Sequence, residues 1–328
     1  MILAGDIGGT KSQFALFNPL NNKILWETRY ASADFSSFDG LINQLEEDLK
    51  QCNHKLSQIE HAALAIAGPI ENNCCQTTNL PWFINGEQLA AKLGLEKVKL
   101  LNDVEASALS IPHLNSSQLA PITPWTIGQS HKAIAVIAPG TGLGEAALFW
   151  NGASYQAQAS EGGHKDFAPR SDLEFGLLKY AQKQFGHVSV ERILGGSGIT
   201  LIYHYLQDAY GKKDSQELQA KISTGDSNAN ITGLALAKQS VLCEQTLEVY
   251  VSLLAAECAN IALQYISLGG VVLAGGIPPK IRSALQRRIF LDSYLDKGRY
   301  KSVLEKIPVR LCLEEKSALF GAAFQARL

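Results

Sequence analysis

Charge is what this sequence has least of. Asp, Glu, Lys and Arg make up 18% of its 328 residues, against about 25% in an average soluble domain. Apolar residues make up 46%, so the chain can bury a sizeable core and is not disordered. A basic field is also lacking: 29 Lys and Arg against 31 Asp and Glu leave a formal net charge of −2, which offers nothing to attract nucleic acid or an anionic membrane. Cysteine is sparse. Cys52, Cys74, Cys75, Cys243, Cys258 and Cys312 contain no C-x-x-C pair and no zinc-spaced Cys/His group, which argues against a disulfide framework or a zinc finger. The adjacent Cys74-Cys75 read as reduced thiols. The opening Met1–Ala4 is too short for a signal-peptide core. Residues 258–277 carry no charge, but Asn260, Gln264, Ser267 and two Gly-Gly pairs interrupt them. A buried helix followed by a short strand explains that stretch better than a membrane span. These features point to a cytoplasmic protein.

At about 150 residues per domain, the length implies two domains. In the first 110 residues, apolar patterning predicts strands at Ile2–Asp6, Gln13–Phe17 and Ile24–Tyr30, and a helix through Phe38, Leu41, Ile42, Leu45 and Leu49. It continues with a strand at Ala62–Ala67, a helix at Glu87–Leu93, a strand at Val98–Leu101 and a helix at Val104–Ser110. This order describes an antiparallel meander followed by parallel crossovers, hence a mixed sheet with helices on its faces. After a loop at Pro112–Gln129, strands are expected at Ala133–Ala138, Ala146–Trp150 and Tyr155–Ala159. Helices should follow at Leu173–Phe185, Gly198–Gln207 and from about Gln245 to Ile266. The chain should close with a strand at Val271–Ala274, a helix at Lys280–Ile289, a strand at Val309–Leu313 and a helix at Ser317–Ala326. Strand, Gly/Thr turn, strand thus occurs twice, near residues 2–17 and 133–150, as a weak internal duplication.

Glycine is where the sequence concentrates information. Fifteen of its 28 glycines fall in six clusters, and clustered glycine marks sharp turns or close approach to the backbone. Gly5–Ser12 nearly spells a P-loop, but Thr10 precedes Lys11 where glycine is required, and a strand follows instead of a helix. Gly140–Gly144 fails the dinucleotide fingerprint for the same topological reason, with Glu145 in the next place. Gly195–Gly198 lacks the last glycine of a nucleophile elbow. Two strand–turn–strand hairpins remain. Gly8, Gly9 and Thr10 in one, and Gly140, Thr141 and Gly142 in the other, can point backbone N–H groups at phosphate oxygens. Asp6 beside the first suits a magnesium ion, which takes one or two carboxylates with phosphate and water. Ordinary hairpins also want glycine, but recurrence at matching places favours phosphate binding.

Asn102-Asp103 stands where a strand gives way to a helix. That is a place for an N-cap, and equally for a ligand-facing carboxylate able to accept a hydroxyl proton. In Glu161-Gly162-Gly163-His164 a tight turn can aim carboxylate and imidazole into one pocket, where both would hydrogen-bond neutral hydroxyls; a satisfied core histidine is the simpler alternative. Glu191, before Gly195–Gly198, looks like an ordinary exposed glutamate by itself. Thr78-Asn79 and Trp82 offer lining groups, or mere loop packing.

Taken in order, Gly5–Thr10, Leu101-Asn102-Asp103, Gly140–Gly144, Glu161–His164 with Asp166–Pro169, Glu191 with Gly195–Gly198, and Leu273–Ile277 resemble bacterial glucokinases of the hexokinase–actin–heat-shock-chaperone superfamily. The resemblance runs from Gly5 to Gly321. It implies a two-domain ribonuclease H-like α/β fold with mixed sheets and an interdomain cleft that closes on substrate. The small α/β domain would be residues 1–111 plus 314–328, and the large α+β domain residues 112–313. By the same resemblance Gly5–Thr10 and Gly140–Gly142 hold the phosphates of ATP, Asp6 lies near Mg²⁺, and Gly275-Gly276 meet the adenosine. Asp103 is the catalytic base for the sugar's 6-hydroxyl, and Asn102, Glu161, His164 and Glu191 bind glucose hydroxyls. A homodimer is implied as well. Lys11 is more like the ROK sugar kinases, whose C-x-C-G-x-x-G-C-x-E zinc motif is absent from this sequence. Trp82-Phe83 lies near the family's aromatic loop but out of its spacing. Two other readings use fewer of these residues: a nucleotide-driven conformational ATPase, and a catalytically idle sugar sensor.

Overall fold

The computed structural model describes every residue except Asn79, Thr126, Lys212 and Leu328, so the expectation placed on Asn79 lies outside the described residues. The chain folds as two compact units. One comprises Met1–Leu114, Lys316–Leu328 and the short segment Tyr155–Ala159; the other comprises Asn115–Ser154 and Ser160–Glu315.

The first unit is built on strands β1 (Ile2–Ile7), β2 (Lys11–Phe17), β3 (Ile24–Ala31), β4 (His61–Ile66) and β7 (Val98–Asn102), in the order β3-β2-β1-β4-β7. β1 runs antiparallel to β2 and parallel to β4, and β4 runs parallel to β7. Central β1 and β4 are almost wholly buried, as expected for strands covered on both faces. Edge strand β3 alternates half-buried with exposed residues. The helix Phe38–Gln51 is capped by the Ser37 hydroxyl, which accepts from the Gly40 N–H, and it buries Phe38, Leu41, Ile42, Leu45 and Leu49, the residues its periodicity selects. The last helix, Ser317–Gln325, returns to this unit. Gly321 there abuts the Ala106 carbonyl so closely that a Cβ would overlap it, and Phe320 meets Phe17 edge-on with ring centroids 5.5 Å apart. A small hairpin, β5 (Cys74–Gln76) with β6 (Phe83–Asn85), was not foreseen. Trp82 beside it is buried against Phe38 in the core, so it packs the fold.

In the second unit β8 (Leu119–Pro121), β9 (Ile134–Pro139), β10 (Leu143–Trp150), β12 (Gly270–Leu273) and β13 (Val309–Cys312) lie in the order β10-β9-β12-β13-β8; β11 (Tyr155–Ser160) falls, but for its last residue, in the short segment of the first unit. β9 is antiparallel to β10 and parallel to β12, and β12 is parallel to β13. Order and sense repeat those of β2-β1-β4-β7, so the duplication is far clearer in topology than in sequence. β8 falls in the stretch read as loop; three residues ending in proline carry no usable pattern. The helix from Gln245 begins instead at Val241, because the Ser240 hydroxyl caps the Cys243 N–H. That helix, Val241–Tyr265, has the length and apolarity to cross a bilayer, yet most of it is buried in this unit's core. The single helix expected over Lys280–Ile289 is instead a 3₁₀ turn at Pro278–Ile281, a helix at Arg282–Leu285 and another at Arg288–Leu295, broken by extended Arg287. Helices Gln216–Ile222 and Ser227–Leu236, capped by Ser215 and Asp226, fill out the unit.

Candidate active site

In the first unit β1 ends at Ile7 and β2 begins at Lys11, leaving Gly8–Thr10 as the connection between them. Gly8 N–H donates to the Lys11 carbonyl at 2.9 Å, and buried Ser32 braces the turn from outside: its hydroxyl donates to the Gly8 carbonyl at 2.7 Å and its N–H to the Thr10 carbonyl at 3.1 Å. Ser12 and Ser32 hydroxyls lie 2.9 Å apart. Neither serine was singled out from sequence. Thr10 is exposed and Gly9 half-buried. Gly5 is different: a Cβ there would meet Leu64 at 2.5 Å and Phe14 at 3.0 Å, so this glycine serves packing within the sheet.

Parallel pairing aligns Ile7 with Ile66 and Ile66 with Asn102. Asp6 and Asp103 therefore sit at the same, carboxyl-terminal end of the sheet, where open α/β sheets bind ligands. Asn102 caps the helix Asp103–Ser110, its side-chain oxygen accepting from Val104 and Glu105 N–H while its Nδ2 donates to the Gly68 carbonyl at 3.2 Å. Asp103 Oδ1 also accepts from Val104 N–H, at 2.9 Å. Capping and ligand-facing roles are thus compatible. Burial, followed by the Asp103 charge, pushes the Asp6 carboxyl up to about 6, against the opposing pull of Lys11.

In the second unit three separate glycine segments pack into one assembly. Pairing of Pro139 with Leu143 leaves Gly140-Thr141-Gly142 as the turn between β9 and β10. Gly196 N–H donates to the Thr141 carbonyl at 2.9 Å. Glu191, from the short helix Val190–Leu194, accepts the Leu143 N–H on Oε2 at 2.9 Å and places Oε1 3.9 Å from His164 Nδ1. His164 Nε2 in turn lies 3.7 Å from Glu161 Oε2. Glu161, His164 and Glu191 are therefore brought together, although Glu191 alone gave no sign of it. The Gly275-Gly276 turn flanks the strand end: Gly275 has φ +79° and its Cα lies against the Pro139 carbonyl, where a Cβ would come to 2.5 Å. Gly140 and Gly276 face open space, with nothing within 4 Å of a notional Cβ.

A Cβ on Gly163 would overlap the Leu143 carbonyl oxygen, which is backbone and cannot rotate away. Gly163→Ala is expected to cost about 1–3 kcal/mol through overpacking, seen as a fall of several degrees in Tm. An unchanged melting curve would mean that the turn relaxes freely.

Among the described residues no group of three or more His, Cys, Asp or Glu side chains is placed to hold a metal. A magnesium ion here would rest on few protein ligands together with phosphates and water, which is its usual habit. Asp6 fits that role. Its carboxyl lies beside a glycine turn and is held against ionisation by burial and by Asp103, and an adjacent cation would relieve both.

Mixed sheets with a repeated strand order, acidic residues at the carboxyl ends and paired glycine turns define a sugar-kinase fold. The crystal structure of glucokinase from an Antarctic psychrotroph matches with a TM-score of 0.84 and 30% identity, covering 99% of this chain and 98% of that one. A ROK family glucokinase from Streptomyces griseus, solved in complex with glucose and AMPPNP, matches in fold with a TM-score of 0.65 at 19% identity, covering 99% of both chains. The glucokinase of Trichormus variabilis is 38% identical over 342 residues, covering 99% of this chain and 98% of the relative. The glucokinase family model matches residues 3–328, and the chain belongs to that family.

Proposed function

We propose that this chain transfers the γ-phosphoryl group of ATP to the 6-hydroxyl of glucose, giving glucose 6-phosphate and ADP, with Asp103 as catalytic base. The observation that carries the assignment of the base is its place at the carboxyl end of β7, at the same sheet end as Asp6 and close enough for its charge to shift that carboxyl. Asn102, Glu161, His164 and Glu191 hydrogen-bond the sugar hydroxyls. The turns at Gly8–Thr10 and Gly140–Gly142 present backbone N–H groups to the ATP phosphates, and Gly275-Gly276 leave room for adenosine. Asp103 accepts the O6 proton as O6 bonds to the γ-phosphorus and the bond to the β,γ-bridging oxygen breaks. The transition state is loose, so positioning and charge stabilisation dominate and proton transfer comes late. Asp6 would hold Mg²⁺, which when bound neutralises charge on the β- and γ-phosphate oxygens.

The repeated strand order supports placing both units in the ribonuclease H-like superfamily of hexokinase and actin, with small and large domains at 1–111 plus 314–328 and 112–313. The same reading makes the enzyme a cytoplasmic homodimer whose ligands are small molecules. A coupled assay crossing a panel of hexoses with ATP and polyphosphate tests it. Glucose with ATP is expected to give the highest kcat/KM, and sugars lacking one hydroxyl should lose heavily, because the group placed to bond that hydroxyl would be left without its partner. Sugar-independent ATP hydrolysis would point instead to a conformational ATPase, and glucose binding without turnover to a sensor.

A further inference from the structure

Behind the Glu161–His164 turn lies a buried charge cluster that the proposed mechanism does not use. Lys165, the next residue, reaches Glu145 on β10 with Nζ 3.2 Å from Oε1 and 3.0 Å from Oε2. The same Nζ lies 2.5 Å from Glu257 Oε1 on the helix Val241–Tyr265. The two carboxylates are 2% and 5% exposed. Asn260 Nδ2 donates to the other Glu257 oxygen at 2.9 Å, and Lys297 donates to Asn260 Oδ1 at 2.6 Å. Burial holds the Glu145 carboxyl above its ordinary range, with Lys165 pulling it down and Glu257 pushing it further up. Two carboxylates share one ammonium, so loss of the lysine removes the cation that draws them together.

Its position gives this cluster a bearing on the site. Gly162 presses on Glu145 Oε2 so closely that a Cβ would overlap it. The Lys165 N–H donates to the Gly162 carbonyl at 3.2 Å, and the Lys165 carbonyl accepts from Val190 N–H at 2.9 Å, one residue before Glu191. One residue therefore ties β10, the helix Val241–Tyr265, the Gly162–His164 turn and the helix Val190–Leu194 together. Glu161 and His164 side chains are 76% and 60% exposed, so little packing of their own holds them.

We propose that Lys165 is a positioning residue for the sugar: by drawing Glu145 and Glu257 together behind the Gly162–His164 turn, it fixes how Glu161 and His164 are presented. The proposal rests on the reading of those two residues as hydroxyl ligands. Steady-state kinetics of Lys165→Met, Lys165→Arg and Glu161→Ala against the unaltered enzyme, with glucose and ATP varied separately, test both. Lys165→Met is expected to raise KM for glucose about tenfold or more while kcat and KM for ATP stay within about threefold, since a misplaced binding group is lost selectively. Lys165→Arg should recover most of the glucose affinity. A folded Lys165→Met with unchanged KM for glucose, or one in which kcat and both KM values worsen together, overturns the proposal. If Glu161→Ala leaves KM for glucose unmoved, it is the reading of the turn as a sugar site that fails. Should Lys165→Met not fold, Glu257→Gln removes one tie and relieves the crowding of carboxylates. It is expected to raise KM for glucose about threefold with KM for ATP unmoved, and no change there also overturns the proposal.

Discussion

Asp103→Asn is expected to lower kcat by about 10²–10⁴ while leaving the fold and KM for glucose nearly unchanged. Three features of the site separate these effects. Asn102, not Asp103, supplies the main cap of the helix Asp103–Ser110, and the additional Asp103 Oδ1 contact to Val104 N–H can be kept by an amide oxygen. The substitution is nearly isosteric, so packing around β7 is preserved. What it removes is the capacity to accept a proton, together with a negative charge beside Asp6. The loose character of phosphoryl transfer limits the damage: O6 attacks with its proton still largely in place, so the base does not carry the whole barrier. Removing the Asp103 charge should also let the Asp6 carboxyl fall from about 6 toward its ordinary range, because that charge is second only to burial among the causes of its rise. A coupled assay at saturating glucose and ATP, with a thermal melt as control, gives the answer. A variant that turns over at near the original rate would remove Asp103 from the chemistry.

Most of the fold was legible because its elements have strong periods. The burial of Phe38, Leu41, Ile42, Leu45 and Leu49 on one helix face, and the near-continuous apolar runs of β4 and β12, follow directly from apolar spacing. The failures have local causes. β8 and the β5–β6 hairpin have three-residue strands, too short to show alternation, and the break at Arg287 lies inside an unbroken apolar pattern. Clustered glycine marks close approach at only some of its positions, and what approaches differs. Gly162 and Gly163 are small because Glu145 and the Leu143 carbonyl of β10 lie against them, Gly195 because of the Glu191 carbonyl and Gly196 because of the Thr141 turn, whereas Gly140 and Gly276 open onto free space. Sequence distinguishes neither case, since both need only the absence of a Cβ. The charges hid in a similar way. Glu145, Lys165 and Glu257 come from three distant segments, each an ordinary charged residue in sequence, and only tertiary packing makes them a cluster.

Glu191→Ala is expected to reduce kcat/KM for glucose by about 10²–10³, from two losses that a second variant separates. The carboxylate would hydrogen-bond a sugar hydroxyl, a contact to a charged acceptor worth about 1.5–3 kcal/mol. It also accepts the Leu143 N–H immediately after the Gly140–Gly142 turn, and its Oε2 occupies the space beside Gly142 that a side chain would fill. Leaving that N–H unpaired in a half-buried place costs up to about 1–3 kcal/mol and loosens the turn assigned to phosphate. Glu191→Ala should therefore raise KM for both glucose and ATP. Glu191→Gln keeps an oxygen for Leu143 and loses only the charge offered to the sugar and to His164, so about a tenfold loss confined to glucose is expected. The comparison decides between two roles for one carboxylate. If Glu191→Ala raises KM for ATP and leaves KM for glucose at its original value, Glu191 is a brace for the phosphate turn alone, and the sugar is held by Asn102, Glu161 and His164 without it.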